Sequence, residues 1–435
     1  MKLSRRQFIQ SGSAGVAAAS SMGMSFQGTG QGDVKPVRIG VVGLGPRGRW
    51  HIKNLLEYQQ GVVVPAICDY REERAAQAAA LVKELKGYTP ATFTKGPKDY
   101  LNMLQRDDLD GILVATDVFS LGHISIDCMK AEKHVGIEIA GCHTIEECFG
   151  VVEEQERSGK QCMLLENCCY GDENMTIYNM VRKDIFGDPY FTVGSYVHDC
   201  RFLMFDDSGE VTWRAELWRD TYGSSYPQHG LGSCCKWLGI NDGDRMEYCQ
   251  AMMTSPRETH AWIVERFGPD SAAAKMRFKS GDFVTTMIST AKGKNIRIDY
   301  SLSNTRPYSR YYLLQGMKGC WDSRTGIYIA PSEKEEWGSL EQYEAEFQHS
   351  YWRKDGAMAR RSGGHEGIDF FCIYDFVRMV RTEKAPWIDA YDAASWSSLI
   401  HCTKLSLDRK GALVEMPDFT NGKWKSARWR EQQSV

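Results

Sequence analysis

Three glycines near the amino terminus have the spacing of a nucleotide-binding turn. The apolar segment at residues 37–42 leads into Gly43, Gly45 and Gly48, and a helical pattern follows. Glycines at these places permit a tight turn, close approach of the backbone to a pyrophosphate, and close helix–strand packing. Asp69 ends the next apolar run, 21 residues after Gly48, as expected for a carboxylate on the adenosine ribose. This pattern predicts a dinucleotide site; the alternative is a turn with incidental glycines.

The residue at the end of the second strand also bears on which dinucleotide binds. Asp69 favours NAD, because its carboxylate suits a free ribose hydroxyl and would repel a 2′-phosphate. Arg71, two residues further on, is the side chain that would accept a 2′-phosphate instead. With Asp69 present, we expect NAD rather than NADP as the cofactor.

Three further polar residues stand at or near the carboxyl ends of predicted strands: Thr116, Glu138 and Asn167. Ligands of doubly wound sheets bind beyond the carboxyl ends of the strands, so position alone makes these residues candidates for the site. Each could instead be a turn or capping residue, and Glu138 a buried polar group satisfied by the backbone. The strands in question are predicted at 110–116, 134–140 and 161–167.

Hydrophobic periodicity divides the chain into two unlike halves. Strands alternate with helices at first, with helices predicted at 72–85, 98–107, 125–133 and 144–159, which is typical of a doubly wound parallel sheet. The second half has alternating, β-branched and aromatic segments at 191–199, 281–291, 295–303 and 311–319, and closes with helices at 367–381 and 390–407. These segments predict an open, largely antiparallel sheet.

The predicted fold class is therefore α/β, with an N-terminal doubly wound (Rossmann) parallel sheet and a C-terminal α+β domain. We expect the C-terminal helices to pack back on the Rossmann domain. The predicted divisions are a signal and linker at 1–33, an NAD-binding domain at 34–168 and a substrate-binding domain at 169–435.

Composition excludes several classes of partner and of site. The 435 residues carry a net charge of −3, so the composition does not indicate a basic surface that binds nucleic acid. Fourteen cysteines are present without C-x-x-C spacing, so we expect buried thiols and no metal site. The 12 tryptophans and 20 tyrosines suit a core and also a sugar-binding cleft.

The first residues resemble an export signal. Arg5 and Arg6 precede a small-residue, mildly apolar stretch at 12–26 that is too short to span a bilayer. We interpret this as a twin-arginine signal, which predicts a periplasmic or extracytoplasmic protein without membrane insertion; the alternative is a basic N-terminus without a signal function. Because such export carries folded proteins, NAD would travel tightly bound and be recycled within each turnover. That disfavours an ordinary dehydrogenase, which exchanges its cofactor.

Longer segments resemble a known family. The chain is similar to the Gfo/Idh/MocA oxidoreductases and, within them, to glycoside hydrolase family 109, the α-N-acetylgalactosaminidase-like branch. The similarity spans nearly all of the chain after the signal. The segments that carry it include CMLLENCCYGDEN (162–174), YPQHGLG (226–232), RPYSRYYLLQGMKG (306–319), GGHEGIDF (363–370) and YDAASWS (391–397).

The resemblance implies a reaction and a set of residues. It implies NAD-dependent hydrolysis of an α-linked N-acetylhexosamine by transient oxidation at C3, elimination, water addition and re-reduction. The implied cofactor contacts are Arg47, Gly48, Asp69, Glu138 and Asn167. The implied sugar contacts are Tyr196, Arg214, Tyr226, His229 and Tyr308, and the implied catalytic residues are Glu138, Tyr170 and His229.

Several of these residues could instead have a purely structural role. Tyr170 could be a core aromatic and His229 a structural histidine, and Tyr226 and Tyr308 could simply pack loops. His365 and Glu366, between glycines, could line the cleft or cap the helix that follows them, and we expect the cap.

The chain also departs from the family pattern. Leu121 stands where the branch has a histidine, and His123 is out of register with that position. Ile139-Ala140 replaces Val-Pro, and Gln228 replaces a threonine. Dehydrogenase branches commonly have lysine where Ile139 stands, which weighs against plain dehydrogenase chemistry.

Two other function classes stay open at this stage: an exported sugar oxidoreductase with tightly bound NAD(P), and a non-catalytic sugar- or nucleotide-binding protein. The open sheet could support a homo-oligomer. Sugar, anomer, aglycone, oligomeric state and cysteine pairing do not follow from the sequence, nor does the effect of the departures.

Overall fold

Two β-sheets organise the protein. The computed structural model describes residues 36–206, 209–332, 334–426 and 429–430, so the predicted export signal lies outside the described residues. One sheet is parallel and flanked by helices, and the other is mixed and mostly antiparallel. The predicted fold class is confirmed.

The first sheet is the predicted doubly wound sheet. Its strand order is β4-β3-β1-β5-β6-β7, with β2 beside β1, and every pairing is parallel. The central strands are apolar runs that are almost wholly buried, as strands covered on both faces must be. The strands are β1 (Val37–Val42), β2 (Val62–Val63), β3 (Ala66–Cys68), β4 (Ala91–Phe93), β5 (Gly111–Val114), β6 (His134–Ile137) and β7 (Cys162–Leu164).

Five helices accompany this sheet, and their ends follow local sequence signals. The first begins at Pro46, where the missing N–H costs no helical hydrogen bond. The fifth begins with a capping box between Thr144 and Glu147 and ends at Gly159 in the left-handed region. The helices are α1 (Pro46–Tyr58), α2 (Glu72–Lys86), α3 (Tyr100–Leu104), α4 (Leu121–Lys130) and α5 (Ile145–Ser158).

The second sheet has eight strands in the order β14-β13-β12-β8-β11-β10-β9-β15. Among the described residues of this second sheet, only the pairing of β8 with β11 is parallel. The strands are β8 (Pro189–Val197), β9 (Met246–Met253), β10 (Val284–Thr290), β11 (Asn295–Ser301), β12 (Tyr312–Gly316), β13 (Gly319–Asp322), β14 (Gly326–Ile329) and β15 (Val414–Glu415).

The remaining helices follow β7 in the chain. In the last of them, Ser397 Oγ lies 3.0 Å from the carbonyl oxygen of Ala140 after β6, and Ser406 Oγ accepts a hydrogen bond from Ala251 in β9. The C-terminal helix therefore contacts elements of both sheets. These helices are α6 (Asp172–Arg182), α7 (Trp213–Asp220), α8 (Gln228–Leu238), α9 (Arg257–Phe267), α10 (Glu341–Phe347), α11 (Ser350–Ser362), α12 (Ile368–Thr382) and α13 (Ala390–Asp408).

A close glycine contact places the start of α8 against the second sheet. A Cβ added to Gly194 in β8 would lie 1.9 Å from the carbonyl oxygen of Gly230. This approach requires glycine at position 194, because any Cβ there would overlap the helix backbone. The contact fixes His229, the residue before Gly230, against the sheet.

Some element boundaries differ from the sequence predictions. The helix predicted at 98–107 is shorter and corresponds to α3. At its start, Asp99 accepts hydrogen bonds from the Lys95 N–H and from the side-chain amide of Asn102. The strand predicted at 311–319 is two strands, β12 and β13. The strand predicted at 161–167 ends at Leu164, and Asn167 begins a 3-10 turn, Asn167–Tyr170. The predicted domain boundary at 168/169 falls within this turn and stays a prediction.

In the part of the chain that the structure describes, no helix combines the length and apolar character that a membrane span requires.

Candidate active site

The glycine turn has the shape that its sequence predicts. Gly43 has φ +88°, and a Cβ there would lie 2.5 Å from the carbonyl oxygen of Ala115. A Cβ on Gly48 would lie 1.9 Å from the carbonyl oxygen of Gly43. At Gly45 the nearest atom to an added Cβ is 3.8 Å away, so this glycine faces open space in front of α1. The helix has no side-chain cap, which leaves its first N–H groups for an anion such as a pyrophosphate.

Asp69 lies at the end of β3 beside this turn. Its carboxylate accepts hydrogen bonds from the backbone N–H groups of Leu44, at 2.8 Å, and Arg71, at 2.9 Å. The guanidinium of Arg71 lies 5.8 Å from the ring centre of Tyr70. Asp69 therefore both orders the turn and places a negative charge beside it, as the sequence predicts for a residue that contacts the ribose of NAD.

A buried ion cluster surrounds Glu138 at the end of β6. Its Oε1 accepts hydrogen bonds from Arg47 Nε and from His51 Nε2, each at 2.6 Å. The same guanidinium donates to both carboxylate oxygens of Asp369 in α12, at 2.8 and 3.2 Å. Arg47 thus links the glycine turn, the end of β6 and a helix of the C-terminal half.

Charge in this cluster is fixed by its neighbours. Burial raises the pKa of Glu138, but the positive charge of Arg47 and the hydrogen bond from His51 outweigh burial and lower that pKa to about 2. Burial also opposes ionisation of Asp369, yet Arg47 and His365 hold its pKa well below the usual range. Burial first, and then Arg47, lowers the pKa of His51. Glu138 is consequently a fixed negative charge near neutral pH.

Asn167 continues the cluster from the end of β7. Its amide nitrogen donates to Asp369 Oδ1 at 2.6 Å and lies 3.3 Å from His365 Nδ1. His365 Nδ1 lies 2.9 Å from Asp369 Oδ2. The expectation that His365 and Glu366 cap the next helix is wrong, because Gly367 is the N-cap and no side chain caps α12. Backbone strain goes with this placement, since His365 and Glu366 have φ +49° and +64°.

His229 lies at the start of α8 and meets the turn after β7. Its Nδ1 lies 2.9 Å from Glu166 Oε1 and 3.1 Å from Cys168 Sγ. Arg310 approaches from the sheet, with Nη1 2.8 Å from the same sulfur. Burial raises the pKa of the Cys168 thiol well above its ordinary value, although Arg310 opposes this shift.

Aromatic side chains collect around His229. The ring of Tyr196 lies edge-on to it with centroids 4.6 Å apart, and Tyr226 and Tyr308 lie 6.2 and 6.3 Å from Tyr196. The guanidinium carbon of Arg214 is 5.8 Å from the Tyr226 ring centre. The structure therefore brings together all five residues predicted to contact sugar. Burial raises the pKa of all three tyrosines above its ordinary value, so none of them is favoured as a phenolate.

The aromatic group also touches the loop that carries Glu138. Tyr226 donates from its hydroxyl to the carbonyl oxygen of Ile139 at 3.2 Å. Gln228 donates from its amide to the carbonyl oxygen of Ala140 at 2.7 Å. Two of the departures from the family pattern, Ile139-Ala140 and Gln228, therefore meet in a direct hydrogen bond.

The third departure from the family pattern, Leu121 in place of a histidine, puts an apolar side chain at that position. Leu121 is fully buried at the start of α4. His123 faces outward, with half of its side chain exposed and Nδ1 3.7 Å from Glu147 Oε1. It does not take the place of the missing histidine.

Two predicted residues stand apart from these contacts. The Tyr170 hydroxyl donates to Asp375 Oδ2 at 2.8 Å, and its fully buried ring lies edge-on to Trp387. This is the geometry of the alternative role, a core aromatic, and the catalytic role of Tyr170 stays a prediction. Thr116 is half-buried, and its hydroxyl lies 3.3 Å from the carbonyl oxygen of Asp117.

The sequence analysis did not predict several residues that lie in the site. His51 follows Arg47 by four residues, and the helical spacing placed both on one face of α1, so this signal was available. Glu166 adjoins Asn167 in a segment that the resemblance already singled out. Asp369 and Arg310 carry no local signal, because only long-range packing brings them to the site.

Comparisons with known proteins agree with this geometry. The family model for the NAD-binding Rossmann fold of the oxidoreductase family matches residues 37–165, and that for the glycosyl hydrolase 109 C-terminal domain matches 170–426. A glycosyl hydrolase family 109 protein of Solibacter usitatus is 33% identical, covering 98% of this chain and 99% of its own. An alpha-N-acetylgalactosaminidase of Shewanella oneidensis is 31% identical, covering 97% and 93%. The predicted NAD cofactor is confirmed by the first match.

A solved structure supports the fold. A levoglucosan dehydrogenase in complex with NADH and L-sorbose has a TM-score of 0.68 at 16% identity, covering 88% of this chain and 100% of that one. At this identity the likeness shows the fold alone.

Replacing Gly45 by alanine should separate nucleotide binding from folding. The added methyl group meets nothing closer than 3.8 Å, so the melting temperature of the nucleotide-free protein should not change. Because the methyl group occupies the space in front of α1, NAD affinity measured by calorimetry should fall at least about tenfold. Gly48→Ala is the contrasting variant and should lower the melting temperature, since its Cβ would overlap Gly43. Wild-type NAD affinity in Gly45→Ala would contradict the placement of the pyrophosphate.

Glu138 should make the protein sensitive to acid. Its pKa is lower when folded than when unfolded, so its stabilisation is present above the ordinary pKa and disappears as pH falls from about 4.5 towards 2. The full effect is up to about 3 kcal/mol. Glu138→Gln should therefore lower the free energy of unfolding at pH 7 and flatten its decline between pH 5 and 3, as measured by urea denaturation. Exposed Glu84→Gln is the control, and an equally steep decline in both variants would refute the assignment.

Proposed function

The chain belongs to glycosyl hydrolase family 109, is a glycosidase and uses NAD, and on that premise we propose that it hydrolyses glycosides of α-linked N-acetylgalactosamine or a closely related N-acetylhexosamine. The relative from Shewanella oneidensis carries the name of this activity. The tyrosine-rich hollow around His229 supports a sugar substrate, because aromatic faces and phenol hydroxyls suit a ring with one apolar face and several hydroxyls.

One observation carries the mechanism: the orientation of His229. Its Nδ1 faces Glu166 and Cys168, whereas its Nε2 has no hydrogen-bond partner among the described residues. The imidazole ring of His229 packs against the rings of Tyr196 and Tyr226, and its side chain is 14% exposed. A histidine placed in this way can hold or move a proton at the sugar through Nε2.

The proposed reaction hydrolyses the glycoside by elimination and water addition. When bound, NAD supplies a reversible hydride acceptor for C3 of the sugar, which makes the C2 proton acidic. His229 would take that proton through Nε2, and the C1 aglycone would leave. The hydroxyls of Tyr196 and Tyr308 would bind the sugar and donate to its oxygens, while the hydroxyl of Tyr226 donates to the carbonyl oxygen of Ile139. Such a route needs no carboxylate pair at the glycosidic bond, and NAD-dependent glycosidases are a known exception to that rule.

Glu138 takes a narrower role in this proposal than the sequence implied. With its pKa at about 2 and its Oε1 shared by Arg47 and His51, it is poorly suited to accept a proton. We propose that Glu138 orients the site by its fixed charge. Arg47, Asp69, Glu138 and Asn167 would hold the cofactor.

Aglycone release in D₂O tests the proposal. Purified protein without added nucleotide should release aglycone from an aryl α-N-acetylgalactosaminide and leave deuterium at C2 of the product sugar, detected by NMR. His229→Ala should lower kcat by at least about 100-fold at unchanged NAD content, because it removes a general base. His123→Ala is the matched control and should retain activity.

Other outcomes would redirect the assignment. Release without C2 deuterium would contradict elimination while leaving a glycosidase. No release from a panel of aryl glycosides, together with reduction of bound nucleotide by a free sugar, would indicate a sugar oxidoreductase instead.

We further propose that the protein is exported in its folded form through the twin-arginine route, with NAD tightly bound and recycled. Support comes from the sequence alone: Arg5-Arg6 and the small-residue stretch after them. Arg5→Lys/Arg6→Lys should retain the protein in the cytoplasm of a host with this pathway, as measured by fractionation and immunoblotting. Lys2→Arg is the control and should be exported. Export of the double variant at the wild-type level would refute the proposal.

A further inference from the structure

A buried carboxylate lies directly behind His229. Glu166 is fully buried in the turn after β7. Its Oε1 accepts the backbone N–H of Cys168 at 2.8 Å and lies 2.9 Å from His229 Nδ1. Its Oε2 has no hydrogen-bond partner among the described residues. A glutamate in this place is not required by the fold of the turn alone, since a backbone N–H could be satisfied by a neutral acceptor.

Hydrogen-bond chemistry assigns the proton on His229. A carboxylate only accepts hydrogen bonds, so Nδ1 must be the donor to Glu166. With its hydrogen used in this way, Nδ1 cannot accept a hydrogen bond from the Cys168 thiol. The thiol has other partners: its sulfur donates to Asn167 Oδ1 at 3.3 Å and accepts from Arg310 Nη1 at 2.8 Å. All contacts are satisfied together when Nδ1 carries the proton and Nε2 carries the lone pair.

We propose that Glu166 is a positioning residue for the reaction, which fixes the tautomer of His229 and stabilises the imidazolium that forms when Nε2 takes a proton. The proposal rests on the proposed function. In the 3-keto sugar, the C2–H bond breaks and its proton goes to Nε2. The electron pair of that bond forms the C1–C2 double bond as the C1–O bond breaks and the aglycone leaves with the bonding pair. The carboxylate of Glu166 compensates the positive charge that His229 then carries.

A metal ion is the competing explanation for the same side chains. Glu166, Cys168 and His229 bring three ligand atoms within 4.8 Å of one another. However, the guanidinium of Arg310 is in contact with the sulfur, where its positive charge would repel a metal cation. The observations therefore favour the carboxylate–histidine pair.

Glu166→Gln tests the pair, because it removes the charge at nearly constant volume. We expect kcat to fall about 100-fold while KM changes less than about threefold and NAD content stays unchanged. The acid limb of the kcat profile should move to lower pH, since the imidazolium loses its counter-charge. Glu166→Asp keeps the charge and should retain the wild-type acid limb. Glu154→Gln, a buried glutamate in α5 paired with Arg157, is the matched control and should behave as wild type.

A nitrogen NMR measurement separates this inference from the proposed function. In the wild-type holoenzyme, the ¹⁵N shifts of His229 should report the Nδ1–H tautomer, whether or not the protein releases aglycone. If the tautomer is found but no aryl glycoside is cleaved, the proposed function fails and the pairing stands. The Nε2–H tautomer, or an unchanged kcat and pH profile in Glu166→Gln, would overturn the inference.

Metal analysis closes the remaining alternative. Purified holoenzyme should contain no stoichiometric zinc, and chelation by EDTA should not lower kcat. One equivalent of zinc that is lost in both Glu166→Gln and Cys168→Ser would overturn the pairing in favour of a metal centre. If Glu166→Gln fails to fold, Glu166→Asp and the wild-type NMR spectrum decide the question.

Discussion

The site depends on one guanidinium held between two buried carboxylates. Arg47 contacts Glu138 and Asp369, residues 91 and 322 positions away in the chain. Two buried negative charges without a cation between them would strongly destabilise the fold, since removal of one partner from a buried ion pair typically costs about 3–5 kcal/mol. Arg47 thus joins the nucleotide turn to the end of β6 and to α12. Displacement of any one of these elements would leave a buried charge without its partner.

From this cluster a continuous chain of hydrogen bonds reaches the residues around His229. Asp369 accepts from Asn167, whose amide oxygen accepts from Cys168, whose sulfur accepts from Arg310. The neighbouring Glu166 meets His229. Three consecutive residues of the turn after β7 therefore connect the two groups: Asn167 faces Asp369, whereas Glu166 and Cys168 both lie against His229 Nδ1.

Local sequence signals were sufficient for the nucleotide side. The glycine spacing, Asp69 and the strand-end residues Glu138 and Asn167 follow from backbone geometry and sheet topology, and the fold class follows from periodicity. The aromatic group was accessible only through the resemblance, because its members lie on separate strands, loops and helices.

What could not be predicted depends on packing. The spacing that places Asn167 at the site says nothing about Tyr170, because the 3-10 turn directs that side chain to Asp375 in the core. Strand β9 was missed because MEYCQAMM is poor in β-branched residues; its partners β10 and β15 hold it in the sheet despite that composition. Asp369 and Arg310 meet the site through tertiary contacts that no local pattern encodes.

The hydrogen bond between Gln228 and Ala140 couples the start of α8 to the loop after β6. The amide reaches a carbonyl oxygen in a stretch where the family pattern has a different dipeptide, and the same helix start carries His229. Grafting the family's threonine onto α8 alone would leave that buried carbonyl without this donor and loosen the support of the histidine. To redesign substrate preference in this enzyme, the loop after β6 and the start of α8 must therefore be exchanged together.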